Sequence, residues 1–218
     1  MECRQTGLST SFLKRIDRDV CLLSRLGMDS SQNSEPRMRI VKVADQLFYN
    51  EGIRATGTEK IMALSEVAKA TFYRHFESKD ALVLAYLENR DQSFWKYLFD
   101  PEQPKDIEEA LVRIHRLVNQ PQTIGCPFLR VASEYPDPAH PFHCRVIGHK
   151  NKMLAYLTEL FKPLDVDRKA VAAQLLILID GALSGRLVYG PSKEIPLLAS
   201  AKALLRELPP HRDQRRKR

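Results

Sequence analysis

The stretch TEKIMALSEVAKATFYRHFESK, from Thr58 to Lys79, decides how the chain is read. Its apolar residues do not alternate, so they do not describe a strand. Ile61, Leu64, Val67, Phe72 and Phe76 recur instead at spacings that turn them inward on two short helices. The first is expected over Thr58–Leu64, with Thr56 and Glu59 spaced as a capping box. Ser65-Glu66-Val67 then turns the chain, and the second helix is expected over Ala68–His75. Ser78 suits the N-cap of a long helix that begins Lys79-Asp80-Ala81-Leu82 and reaches Phe99. Two short helices joined by about three residues have the dimensions of a helix-turn-helix.

The logic of that motif is steric: one helix braces across a phosphate backbone while the second enters the major groove. With the apolar residues inward, Lys69, Thr71, Tyr73, Arg74 and His75 are left outward. Cations, a hydroxyl and an aromatic ring suit phosphate and base contacts. Upstream, Ile40, Val43, Ala44, Leu47 and Phe48 form one apolar stripe of a helix expected from Met38, with Gly52 at its C′ position.

The rest of the chain also has helical periodicity, punctuated by proline. Ile107, Ala110, Leu111, Ile114, Leu117 and Val118 form a stripe, and Pro127 and Pro141 suit the first turns of two further helices. Glu134–Pro141 is a stiff break, followed by helices expected over about 140–161, 168–188 and 195–208, with Asp165 or Asp167 as a cap. The fold class is therefore all-α. Four parts are expected: a weakly ordered N-terminal extension at 1–37, with Met28 as an alternative start; a helix-turn-helix domain at 38–83; a helical domain at 84–209; and a basic tail at 210–218.

Charge and composition exclude several classes. The net charge is +7, yet residues 38–90 carry 8 basic against 7 acidic residues. More than half the surplus lies in Arg212, Arg215, Arg216, Lys217 and Arg218, which add only nonspecific attraction to a polyanion. No unbroken apolar run approaches the roughly 20 residues of a membrane span, Leu175–Ile179 included, so no membrane association is expected. Cys3, Cys21, Cys126 and Cys144 form no CxxC pair and read as reduced thiols of a cytoplasmic protein. Neither GxGxxG nor GxxxxGK[ST] occurs, so the nucleotide-binding signatures are missing.

Residues Arg39–Leu82 resemble the DNA-binding domain of the TetR family of bacterial transcriptional regulators. Leu47-Phe48, Gly52, Ala55-Thr56, Ile61, Val67, the run from Ala70 to Phe76, and Ser78-Lys79 carry the resemblance. The family pattern at that run is close to G-T-L-Y-x-H-F-x-S-K. Met62, Glu66, Ala68 and Ala70 depart from it, standing where Ala, Gly, Ser and Gly are common. A left-handed Glu66 costs on the order of 1 kcal/mol relative to Gly. The resemblance implies that Thr58 offers a hydroxyl and an amide to phosphate. It sets Lys69, Ala70 and Thr71 nearest the base edges, Tyr73 and His75 toward the DNA backbone and Lys79 on a phosphate, with Arg74 also counted among the DNA-binding residues.

For the C-terminal half, the resemblance implies a pocket for a small-molecule effector and a homodimer through the last two long helices. Ala172, Leu175, Leu176, Ile179 and Leu183, with Leu197, Leu198, Ala201, Leu204 and Leu205, are the apolar faces expected to pair. Double-stranded DNA, an unidentified effector and a second copy are thus the expected partners, with no cofactor and no metal. Trp95, Phe99, Phe128 and Tyr156 read first as core, so no ligand-binding residue is assigned. Asp180, on an apolar helix, is expected to pair with a Lys or Arg rather than with a ligand. Cys126, His140, His143, Cys144 and His149 raise a metal site or an oxidation sensor, but neither spacing nor a lowered thiol pKa supports one. The expected function is a ligand-responsive repressor and not an enzyme. The alternatives are a helical metal-dependent hydrolase, which would need a motif such as HExxH, and an adaptor that binds only protein.

Overall fold

The computed structural model describes residues 35–163 and 166–207. Expectations for residues 1–34, for Asp165 and for the basic tail at 210–218 lie outside the described residues. Those residues hold nine helices and no strand: α1 (Glu35–Glu51), α2 (Thr58–Ser65), α3 (Lys69–His75), α4 (Lys79–Leu98), α5 (Ile107–Val118), α6 (Pro127–Glu134), α7 (Pro141–Leu160), α8 (Arg168–Tyr189) and α9 (Leu197–Arg206). The fold is all-α. α1 begins before Met38, because Pro36 is tolerated in a first turn where its missing N–H has no bond to make.

The chain forms two compact units. Among the described residues, one contains residues 35–89 together with Val131–Arg145; the other contains Arg90–Arg130 and residues 146–163 and 166–207. In the first unit the α1 stripe Ile40, Ala44, Leu47 and Phe48 is buried, and Phe48 meets Tyr86 edge-on at 5.5 Å. Gly52 closes α1 at φ 96°, with its amide 3.2 Å from the Phe48 carbonyl. Ser78 caps α4 by accepting from the Ala81 amide at 3.1 Å.

Two local expectations for the first unit are corrected. Thr56 does not cap α2: its buried hydroxyl donates to the Gly52 carbonyl at 2.7 Å, an acceptor one turn back that the loop brings close. Gly57 is the N-cap and supplies no side-chain bond. Leu64 does not face inward but is 57% exposed. The buried edge of α2 is Ile61 and Ser65, and Leu64 falls about a quarter-turn away from it.

The second unit buries the α5 stripe Ala110, Leu111, Ile114 and Val118 with Val171, Ala172, Leu175, Ile179 and Ala182 of α8 and Leu197 and Ala201 of α9. Asp106 and Asp167 cap α5 and α8, accepting from the amides of Glu109 at 2.9 Å and Ala170 at 3.2 Å. The residues expected to pair two subunits are thus largely intrachain core: Ala172, Leu175, Ile179, Leu197 and Ala201 are buried, and Leu176, Leu183, Leu198, Leu204 and Leu205 are half-buried. The outward side of α8 carries Ile177, Gly181, Ser184 and Val188 instead. By length and composition α8 could cross a membrane, which an unbroken-run count misses because Gln174 and Asp180 interrupt it. Its inward side is the centre of this core.

Arg186 is 1% exposed in that unit. Its guanidinium donates through Nε to Thr123 at 3.2 Å, through Nη1 to Gly190, Pro191 and Lys193 at 3.2, 3.0 and 3.1 Å, and through Nη2 to Gln120 at 2.8 Å, in every case to a backbone carbonyl. It ties the end of α8 to the loops on either side. Asp180 pairs with Lys150, as its place on an apolar helix suggested.

Candidate nucleic-acid interface

α3 is held from its inner side. Phe72 is 0% exposed and Phe76 4%, one turn apart, and the Phe76 amide closes the helix on the Phe72 carbonyl at 2.9 Å. Arg37 lies over the Phe76 ring at 5.1 Å. The turn before α3 is left-handed at Glu66, with φ 54° and ψ 44°. Two hydrogen bonds offset the cost of that conformation: Glu66 donates to Ala63 at 3.3 Å and Val67 to Met62 at 3.1 Å, satisfying carbonyls at the end of α2.

This anchoring fixes which side chains face out. Lys69, Ala70, Tyr73 and Arg74 occupy one exposed arc of α3, while Thr71 and His75 flank it half-buried. Tyr73 is 43% exposed and leans edge-on against Phe72 at 5.2 Å. Burial first, then the charges of Arg74 and Arg37, lowers the His75 pKa and favours the neutral ring. Thr58, half-buried, opens α2.

Lys79 takes a position the sequence did not indicate. Its Nζ donates to the Ile53 carbonyl at 2.6 Å. Burial lowers its pKa, and the nearby Asp80 and Glu134 carboxylates oppose that shift. One of its three N–H donors therefore holds the loop between α1 and α2.

Glu134, at the end of α6, grips the same loop; the sequence marked it only as the start of a break. Its Oε1 accepts from the Ile53 amide at 3.1 Å and its Oε2 from the Arg54 amide at 2.8 Å. The Arg54 guanidinium lies 4.9 Å from the Tyr135 ring centre. A Cβ at Gly52 would sit 3.0 Å from Glu134 Oε1 and press on that clamp, and the positive φ favours glycine there in any case. Gly52 signalled that a loop began there. Nothing local signalled that its amide partner lay more than a full helix-turn-helix away in sequence.

The residues raised for metal or thiol chemistry have other partners. His143 Nδ1 lies 2.6 Å from the Tyr135 carbonyl, and the His140 ring sits 4.7 Å from that of Tyr135. His149 stacks on Phe128 at 3.8 Å, with its Nδ1 2.6 Å from Asp91. Among the described residues, no three His, Cys, Asp or Glu side chains are grouped to hold a metal. Cys126 is buried, and burial pushes its thiol pKa up although Lys150 Nζ lies 3.8 Å away. Cys144 donates to the Pro138 carbonyl at 3.4 Å.

The profile described as "Bacterial regulatory proteins, tetR family" matches residues 40–86, which span α1 to the first half of α4. SCO4454, a TetR-family transcriptional regulator from Streptomyces coelicolor, superposes with a TM-score of 0.74 at 33% identity, covering 82% of this chain and 98% of that one. The chain belongs to the TetR family of bacterial transcriptional regulators. This TetR-family regulator is also 28% identical over 159 residues to the HTH-type transcriptional regulator YjdC of Escherichia coli K12, covering 70% of this chain and 83% of that protein. It is 34% identical over 101 residues to the HTH-type transcriptional repressor Rv3405c of Mycobacterium tuberculosis, covering 46% of this chain and 53% of that repressor. These relatives are DNA-binding regulators, not enzymes, and they favour neither a hydrolase nor a protein-only adaptor.

Proposed function

We propose that this TetR-family regulator is a cytoplasmic repressor that binds its operator as a homodimer and is released by a small molecule. The observation that carries the reading is the exposed arc of α3, where Lys69, Ala70, Tyr73 and Arg74 stand together above the buried Phe72 and Phe76. Lys69, Ala70 and Thr71 are assigned to base edges, and Tyr73, Arg74 and His75 to the phosphate backbone. Thr58 offers phosphate its hydroxyl and the amide beside it. Lys79 contributes from its seat on Ile53 with its two remaining donors. One such head makes few contacts, whereas two span successive major grooves about 34–36 Å apart. The outward side of α8, with Ile177 71% and Val188 73% exposed and room beside Gly181, supports pairing through that helix. An effector acts by favouring the arrangement that does not fit DNA, because a molecule with equal affinity for both arrangements shifts nothing.

The test is a gel shift on the DNA upstream of the protein's own gene. Tyr73→Ala is expected to weaken binding about 10- to 100-fold, from a lost hydrogen bond and lost packing in each of two heads. Its circular dichroism and dimer mass should match wild type, and binding by both proteins should fall steeply with added salt. Unchanged binding by the variant, or a flat salt response, overturns the assignment.

A further inference from the structure

Tyr156, on α7, is 3% exposed, and its buried hydroxyl has no hydrogen-bond partner among the described residues. Its ring meets Trp95 edge-on at 5.5 Å and Phe99 at 5.5 Å, and those two rings are themselves 5.5 Å apart. A polar group left unbonded in such surroundings costs about 1–3 kcal/mol. Phenylalanine would fill the same space without that cost, so packing alone does not account for the oxygen.

The charged groups of this region are already committed. Arg113 gives Nη1 to the carbonyls of Leu98, Asp100 and Glu102 and Nη2 to the Glu109 carboxylate. Asp91 accepts from Trp95 Nε1 at 2.9 Å and from Lys152 at 3.1 Å, beside His149. These pairings leave the hydroxyl as the open polar contact within an aromatic wall.

We propose that the Tyr156 hydroxyl is the polar contact of an effector site in the second unit, and that this site takes an uncharged, flat, largely apolar molecule with a hydrogen-bond acceptor such as a carbonyl oxygen. The proposal rests on reading the chain as an effector-responsive regulator. The phenol serves as a neutral donor, since burial pushes its pKa further up. The cations beside the site are already balanced, Arg113 by Glu109 and Lys152, 4.7 Å over the Trp95 ring, by Asp91, so a charged ligand would enter at a desolvation cost that one hydroxyl does not offset. The three rings touch, so a ligand that reaches the hydroxyl parts them, and its affinity carries that cost.

Trp95 is the single tryptophan of the chain, which makes its fluorescence a local reporter. Three probes of matched shape separate the contributions: naphthalene, acetylnaphthalene with its carbonyl, and the charged naphthoate. Acetylnaphthalene is expected to quench Trp95 saturably and to bind about tenfold more tightly than naphthalene, with naphthoate weakest. Tyr156→Phe should abolish the advantage of acetylnaphthalene, leave naphthalene unchanged, and melt at or above the wild-type temperature. Absence of saturable quenching by all three probes, preference for naphthoate, or an equal advantage in wild type and Tyr156→Phe overturns the site. A variant that melts several degrees lower also overturns it, because the hydroxyl is then satisfied within the fold. A gel shift with acetylnaphthalene keeps the two readings apart. Tyr156-dependent binding that leaves the DNA complex intact upholds the site and counts against release by this ligand class.

Discussion

Replacing Arg186 with Met lowers the free energy of unfolding by about 3–5 kcal/mol, the scale expected when several buried carbonyls lose a shared charged donor at roughly 1–3 kcal/mol each. Met fills similar space but has no donor, so the carbonyls of Gln120, Thr123, Gly190, Pro191 and Lys193 lose the group that gathers them. Some reach water once released, which keeps the loss below the sum of separate bonds. Arg186→Lys restores the charge but not the planar fork that spans both loops, so it should recover less than half of the loss. Urea denaturation measures this as a lower midpoint at an unchanged slope. A Met variant within about 1 kcal/mol of wild type would show that the network contributes little.

Glu134→Ala weakens operator binding by about tenfold or more while leaving the protein folded. The substitution removes two hydrogen bonds to an ionised carboxylate, worth about 1.5–3 kcal/mol each when fully formed, from the loop that leads into α2. Lys79 and Thr56 still hold the carbonyls of Ile53 and Gly52, so the loop loosens rather than unfolds. Glu134→Gln keeps one acceptor oxygen and should recover part of the affinity. Binding is measured at a temperature where circular dichroism shows each variant folded. Equal affinity of wild type and Glu134→Ala would mean that the loop is positioned by its other contacts alone.

What the sequence disclosed follows from how far apart the interacting residues lie. The arc of α3, the Ser78 and Asp167 caps and the α5 stripe depend on neighbours within about two turns, and local spacing reports those. Thr56 was misread because its hydroxyl can either accept from the amides of α2 or donate to the Gly52 carbonyl, and spacing alone does not rank the two. Leu64 was misread because a helix as short as α2 buries only a narrow edge. Asp180 drew notice as a charge among leucines, yet Arg186, two turns further along the same helix, did not. Its partners are carbonyls, which every sequence contains everywhere. The Glu134 clamp joins residues that single-sequence reasoning has no means of pairing.

Residues Val131–Arg145 cluster with α1, α2, α3 and the first half of α4 rather than with their sequence neighbours. The head that carries α3 is therefore discontinuous in sequence. A fragment ending after Asn89 carries every residue of the α3 arc but lacks Glu134, so its loop amides at Ile53 and Arg54 are left to solvent. Grafting this head onto another regulator's body likewise means transplanting two separate stretches of chain, with the Glu134–Gly52 contact kept as a matched pair.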